Sequence, residues 1–166
     1  MWKHLAPYFE LYPVRMKIAQ KMLEYGLRTS NGKVYCGPIE LSDSKLARAF
    51  DVDRRAIAAT ITTIHEHPEL AKIFDKLQPT CNLRDVAPVM NWGVIEIIPV
   101  DPSTPGILAE VATLIASENI SIRQAISDDF ELTEEPRLYV ITEGTIPAHL
   151  IPKIRHAKGV KAVLIY

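Results

Sequence analysis

Apolar positions recur at helical spacing through the first half of the chain and give way to strand-like runs after residue 92. Met16, Ala19, Gln20 and Leu23 keep a helical spacing behind Pro13, and Gly26 with the polar run Thr29 to Lys33 ends that element with turn residues. Val34 to Cys36 is a short apolar stretch that fits one strand or a loop before Gly37-Pro38. Leu41-Ser42-Asp43 opens a helix in which Leu46, Ala47 and Phe50 are spaced to face a core. Asp51 and Val52 read as a tight break. Asp53 then caps a further helix, whose Ile57, Ile61 and Ile64 make one apolar stripe. Pro68 stops it, and a last short helix runs from Glu69 to Leu77.

The second half reads differently. Gly93 to Val100 is rich in Val and Ile, as a buried strand should be, and Asp101 to Gly106 is a loop turning into a helix. Pro105 suits the first helical position, where its missing N–H costs nothing. Ile107, Leu108, Val111, Leu114 and Ile115 form the apolar face, and Asn119 is placed to close the helix in a left-handed conformation. Strands from Ser121 to Ile126 and from Arg137 to Glu143 flank an acidic turn as an antiparallel hairpin. A helix over Pro147 to Lys158, capped by Gly159, leads to a terminal strand, Val160 to Tyr166. The order βαββαβ predicts a ferredoxin-like sheet with both helices on one face. The fold class expected is therefore α+β: a mainly helical domain over residues 1–82, a linker over 83–92, and a βαββαβ domain over 93–166.

With 48% hydrophobic and 23% charged residues among 166, the chain has the composition of a folded protein of one or two small domains. No segment approaches the roughly 18 uninterrupted apolar residues of a membrane helix, which excludes a membrane partner from the reading. Lys3, His4, Glu10, Arg15 and Lys17 break up the apolar residues at the start, unlike a secretory signal, and a cytoplasmic location is expected. Cys36 and Cys81 lie far apart with no Cys or His at metal-ligand spacing, so neither a disulfide framework nor a zinc site is expected. The net charge of −1 hides an asymmetry. Residues 1–90 hold 13 Lys+Arg against 10 Asp+Glu (+3), and residues 91–166 hold 6 against 10 (−4). A mildly basic first half permits a polyanionic partner without demanding one.

Catalytic signatures are missing. His65 and His67 flank Glu66, but residues two apart on a helix point about 200° from each other and cannot share a metal as residues four apart can. Asp128, Asp129, Glu131, Glu134 and Glu135 crowd the hairpin tip, where a solvated turn is the default and a divalent-cation site the alternative. No nucleophile elbow, phosphate loop or dinucleotide fingerprint occurs. The chain is expected to be no enzyme and to need no cofactor.

Strand Gly93 to Val100, loop Asp101 to Thr104, Pro105-Gly106-Ile107-Leu108 and Glu118-Asn119-Ile120 together resemble the signature of ACT domains, regulatory modules that commonly bind amino acids. The closing run Gly159 to Tyr166 fits the last strand of that family. The resemblance covers Gly93 to Tyr166 and implies a ligand site from Asp101, Ser103, Thr104, Pro105, Gly106, Ile107, Leu108, Asn119 and Ile120, placed between paired domains. Its physical content is that a glycine at a helix start lets a ligand approach the backbone, while the free amides of the first turn favour a carboxylate. The plainer reading of Gly106 is a tight strand-to-helix turn, and that of Asn119 a helix end without any ligand. Ser103 stands where ligand-binding members often carry a more polar amide, and Pro152 interrupts the second helix.

The stretch Ser44 to Ile57 resembles the helix-turn-helix of bacterial and archaeal regulators. On a helical wheel Ile57, Ile61 and Ile64 point inward and Arg55, Ala59, Thr62 and Glu66 outward, with Ala58 and Thr63 at the margins. Duplex DNA is the partner this implies, with Arg55 suited to a guanine edge and Lys45, Arg48 and Arg54 to phosphates, beside the small residues Ala59 and Thr62. The bland alternative is the solvated side of a helical bundle, and Glu66 favours it. The combination of a helix-turn-helix with an ACT-like domain resembles predicted regulators of amino-acid metabolism. It implies a homo-oligomer that binds an amino acid and biases the spacing of two DNA-reading helices. The alternative of another class is a regulatory subunit that uses the N-terminal helices to bind an enzyme.

Overall fold

A computed structural model of the chain describes residues 1–166. The chain divides into two compact units, Met1–Cys81 and Asn82–Tyr166. No helix is long and apolar enough to cross a membrane.

The first unit begins with a short helix α1 (Trp2–Leu5) and a 3-10 turn (Ala6–Phe9), neither of which the periodicity predicts. Helix α2 (Pro13–Glu24) starts with Pro13 in its first turn and buries Ile18, Ala19, Met22 and Leu23. Gly26 then turns left-handed at φ +61°, where a Cβ would lie 2.3 Å from the Gln78 carbonyl oxygen, so only glycine fits. The polar run that follows is more than a turn. Asn31 and Gly32 both take positive φ (51° and 73°) and join strands β1 (Arg28–Ser30) and β2 (Lys33–Cys36) in a two-residue hairpin, to which β3 (Ile39–Leu41) adds antiparallel. Val34 is fully buried at the centre of this sheet.

Helix α3 (Asp43–Phe50) buries Leu46, Ala47 and Phe50 and ends at Asp51 in the left-handed region, with the Val52 amide donating to the Ala47 carbonyl (3.0 Å). Asp53 caps helix α4 (Arg54–Glu66) by accepting from the Arg55 amide at 2.7 Å. The inward stripe of α4 is wider than its isoleucines. Thr60 and Thr63 are buried as well, and their hydroxyls donate to the carbonyls of Ala56 and Ala59, which keeps both satisfied. Thr63 therefore belongs to the core side, not to the margin of the outer face. Pro68 opens helix α5 (Pro68–Phe74), which stops three residues short of Leu77.

The second unit holds one antiparallel sheet in the order β5-β6-β4-β7, from β4 (Gly93–Pro99), β5 (Ile122–Ser127), β6 (Leu138–Thr142) and β7 (Val160–Ile165). Helices α6 (Ile107–Ser117) and α7 (Leu150–Arg155) complete the βαββαβ order. Both pack on one face, where Ile95, Ile97, Leu138 and Val140 of the central strands meet Ile107, Val111 and Ile115 of α6 and Leu150 and Ile154 of α7. Strand alternation sends Val94, Glu96, Tyr139 and Ile141 to the other face.

That second face is partly covered by the chain itself. Residues 83–92, read from the sequence as a linker, belong to the second unit and include a 3-10 turn, Ala87–Met90. Leu83, Ala87 and Trp92 close over Val94 and Ile141, and the Leu83 amide donates to Gln124 Oε1 at 2.9 Å. This cover leaves Leu164 and the outer edge of β7 open. Two prolines also stand elsewhere than expected. Pro105 precedes the Gly106 cap of α6 instead of opening the helix, and Pro152 lies in the first turn of α7, where it interrupts nothing.

Candidate ligand pocket and nucleic-acid face

In the second unit, the segment from Pro99 to the start of α6 borders a cavity of about 160 Å³. Its lining includes Thr104, Gly106, Ile107 and Leu108 from the predicted loop and Ser127, Pro136, Arg137 and Leu138 from the β5–β6 hairpin. Gly106 is the cap of α6 at φ +95°, with no atom within 4 Å of where a Cβ would sit. Glycine is needed there for the backbone angle, and the space beside it is free for a ligand. The amides of Ile107, Leu108 and Ala109 have no acceptor within the helix, and no side chain caps them. This turn is also braced from behind. Gly159 at φ +84° lies so close that a Cβ would fall 2.9 Å from Ile107 Cγ1.

The remaining predicted ligand residues do not join this cavity. Asp101 accepts from the Ser103 amide (2.9 Å) and the Ser103 hydroxyl (2.7 Å), which hold its carboxyl below the usual pKa, the hydroxyl contributing most. Both side chains are spent on shaping their own turn. Pro105 is exposed beside them. Asn119 adopts the left-handed conformation expected (φ 57°) but at the far end of α6, about 16 Å along the axis for 11 helical residues. Ile120 packs against the helix-side core. Within one chain, Asn119 and the Gly106 turn therefore cannot share a small ligand.

Arg137, which the sequence reading passed over, lines the cavity and also reaches the far face of the sheet. Its guanidinium pairs with Glu96 and, at 3.3 Å, with Glu135; the Glu96 contact does most to raise its pKa. Glu96 is only 2% exposed, and its second oxygen accepts from the Tyr166 hydroxyl at 2.9 Å, so the buried carboxylate is both paired and hydrogen-bonded. At the acidic hairpin tip Asp128 and Asp129 accept from the amides of Arg137 and Glu131, and no three His, Cys, Asp or Glu side chains converge.

In the first unit, α3 and α4 form two helices joined by the Asp51-Val52-Asp53 turn. Lys45, Arg48, Arg54 and Arg55 are all exposed, and none has a carboxylate partner. Thr62 is exposed with its hydroxyl donating to the Ala58 carbonyl (3.0 Å), whereas Ala59 is half-buried at the rim of a groove. His65 and Glu66 are exposed toward the end of α4.

No protein-family model and no curated protein matches the chain. Solved structures similar to it include three of low likeness. The C-terminal domain of the MgtC protein from Mycobacterium tuberculosis is 20% identical, over 45% of this chain and 83% of that one, with a TM-score of 0.35. A homoserine dehydrogenase from Thiobacillus denitrificans is 22% identical, over 72% of this chain and 26% of that one, with a TM-score of 0.36. E. coli AsnC is 14% identical, over 93% of this chain and 89% of that one, with a TM-score of 0.29. At these values the likenesses carry no argument about function, which rests on the residues themselves.

Proposed function

We propose that the chain is a non-catalytic regulator of amino-acid metabolism that binds duplex DNA through its first unit and a free amino acid through its second, as a homo-oligomer. The observation that carries the reading is the α3–α4 pair, which presents Lys45, Arg48, Arg54 and Arg55 to solvent, none of them in an ion pair with the acidic residues of the same two helices, Asp43, Asp51, Asp53 and Glu66. Unpaired cations around a two-helix motif suit a polyanion whose groove takes a helix. Arg55, near the start of α4, is the candidate for a base edge, with the small Ala59 and the short Thr62 allowing close approach. Lys45, Arg48 and Arg54 are the phosphate contacts.

The second unit supports the other half through its likeness to ACT domains and the open first turn of α6. A ligand carboxylate at the amides of Ile107, Leu108 and Ala109 would satisfy groups that the helix leaves unpaired. Ser127 Oγ and nearby carbonyls are the acceptors for an ammonium, since Asp101 is engaged with Ser103. Regulation requires the two DNA affinities, with and without ligand, to differ.

A second reading, an enzyme-binding regulatory subunit, draws on Leu11, an apolar side chain 85% exposed, and on the acidic Asp43 and Glu66 beside α4. Thermal unfolding of the protein against each standard amino acid tests the ligand half. A ligand at 100 times its Kd stabilises by about 2.7 kcal/mol, so the binding amino acid should raise the midpoint by several degrees. A flat response to all of them would remove the amino-acid site.

A further inference from the structure

The segment Leu11 to Arg15, between the N-terminal 3-10 turn and the first turn of α2, forms one wall of a shallow cavity of about 430 Å³ whose other wall is Arg55, Ala56 and Ala59 of α4. Arg15 is fixed there by two contacts. Its Nη1 donates to the Thr63 hydroxyl (3.1 Å), and its guanidinium lies 3.9 Å from the centre of the Tyr12 ring. Neither contact neutralises it, and no carboxylate pairs with it. A guanidinium has five donors, so most of its hydrogen-bonding capacity is unused while its side-chain entropy is already reduced. Leu11 and Val14 are exposed beside it.

The opposite flank of α4 differs in sign. A second cavity there, about 390 Å³, is lined by Gly32, Asp43, Thr62, His65 and Glu66. Phosphates are disfavoured beside Asp43 and Glu66 of that flank and favoured beside Arg15 and Arg55 of the other, while Thr62 stands between the acidic end and the base-reading residues.

We infer that Leu11 to Arg15 is a second DNA-contacting element, in which Arg15 is a pre-positioned phosphate anchor beside the base-reading residues of α4. The inference rests on the DNA reading above and adds to it a contact outside the two-helix motif and the side on which the backbone lies. The apolar Leu11 and Val14 suit the sugar faces that flank a bound phosphate. Tyr12 holds the guanidinium plane in place and acts as a positioning residue.

The test is fluorescence anisotropy of the full chain with two unrelated mixed-sequence duplexes over a range of salt concentrations. Arg15→Gln should weaken both duplexes by the same factor and lower the salt slope by about one, the signature of a lost phosphate contact. Arg15→Lys should restore most of the slope, because the charge returns. Val14→Glu places a carboxylate at an exposed position beside Arg15 without disturbing the core, and should weaken both duplexes even if Arg15→Gln compromises folding. If Arg15→Gln and Val14→Glu bind with the wild-type slope while Arg55→Ala loses affinity, the second element is overturned and the DNA reading stands. If wild type binds neither duplex at low salt, the DNA reading falls and takes this inference with it.

Discussion

Replacing Gly159 by alanine should destabilise the second unit more than the same change at Gly144, and the structure says why. Both glycines occupy positive φ, +84° and +101°, so alanine at either position incurs the left-handed penalty of about 1–2 kcal/mol. At Gly144 nothing lies within 4 Å of the new Cβ. At Gly159 that Cβ would meet Ile107 Cγ1 at 2.9 Å and Cδ1 at 3.1 Å, adding an overpacking cost of about 1–3 kcal/mol. The predicted losses are thus about 1–2 kcal/mol for Gly144→Ala and about 2–5 kcal/mol for Gly159→Ala. Urea unfolding followed by Trp92 fluorescence in a Trp2→Phe background reads the second unit, because Trp92 packs against its cluster of Ala87, Val94 and Ile141. A cycle isolates the cause. In an Ile107→Ala background both overlapping carbons are gone, and Gly159→Ala should then cost no more than Gly144→Ala. Equal losses for the two glycine variants in the wild-type background would refute the claim that the start of β7 braces the first turn of α6, and with it the shape assigned to the cavity.

Asp53→Ala removes the only side-chain cap of α4 and should cost about 1 kcal/mol, read as a lower urea midpoint, while loosening the turn that carries Arg54 and Arg55; an unchanged midpoint contradicts it. Ser103→Ala should raise the titration midpoint of Asp101, followed by carboxyl NMR, since the Ser103 hydroxyl is the main cause of its lowered pKa. Because that folded-state pKa is depressed, the stability contributed by Asp101 is present above the unfolded pKa and lost as pH falls through the folded one; Ser103→Ala should shrink this acid loss, and an identical midpoint in the two proteins would refute the turn geometry. Pairing through the second unit predicts more than one chain by light scattering and a shift to monomer with Leu164→Lys on the uncovered sheet face; a strictly monomeric wild type contradicts it.

The elements with a strong period were legible before the structure. Ile57, Ile61 and Ile64 mark α4, Asp53 marks its start, and the βαββαβ order follows from Gly93 onward because each strand or helix carries its own turn residues. What sequence reading missed has physical reasons. Asn31-Gly32 is a hairpin signal, but the flanking strands are only three and four residues long and mostly polar, so the run Thr29 to Lys33 looked like a turn alone. Residues 83–92 show no period of 2 or 3.6, and their docking depends on Val94 and Ile141, which become neighbours only when β4 pairs with β6. The cavity shows the same limit. Its loop half, Thr104 to Leu108, is contiguous and carries a recognisable pattern, whereas Ser127 at the end of β5 and Arg137 just before β6 meet the loop only through the fold. Asn119 had the correct conformation and the wrong neighbourhood, because a pattern fixes the end of a helix but not which groups lie within reach of it.

The central claim is that one protein joins an amino-acid site to a DNA-binding face, and it is tested most directly by measuring duplex affinity of the full chain with and without each standard amino acid. Fluorescence anisotropy at fixed salt, with a duplex selected from a random pool, gives both numbers in one titration. A coupling free energy in the usual range of about 1–3 kcal/mol predicts that at least one amino acid changes the Kd for DNA by about 5- to 150-fold. That amino acid should act on wild type but not on a variant carrying Leu108→Trp, which fills the cavity from an exposed position at its rim. A Kd for DNA that stays the same with every amino acid, or a chain that enriches no duplex from the pool, would contradict the account.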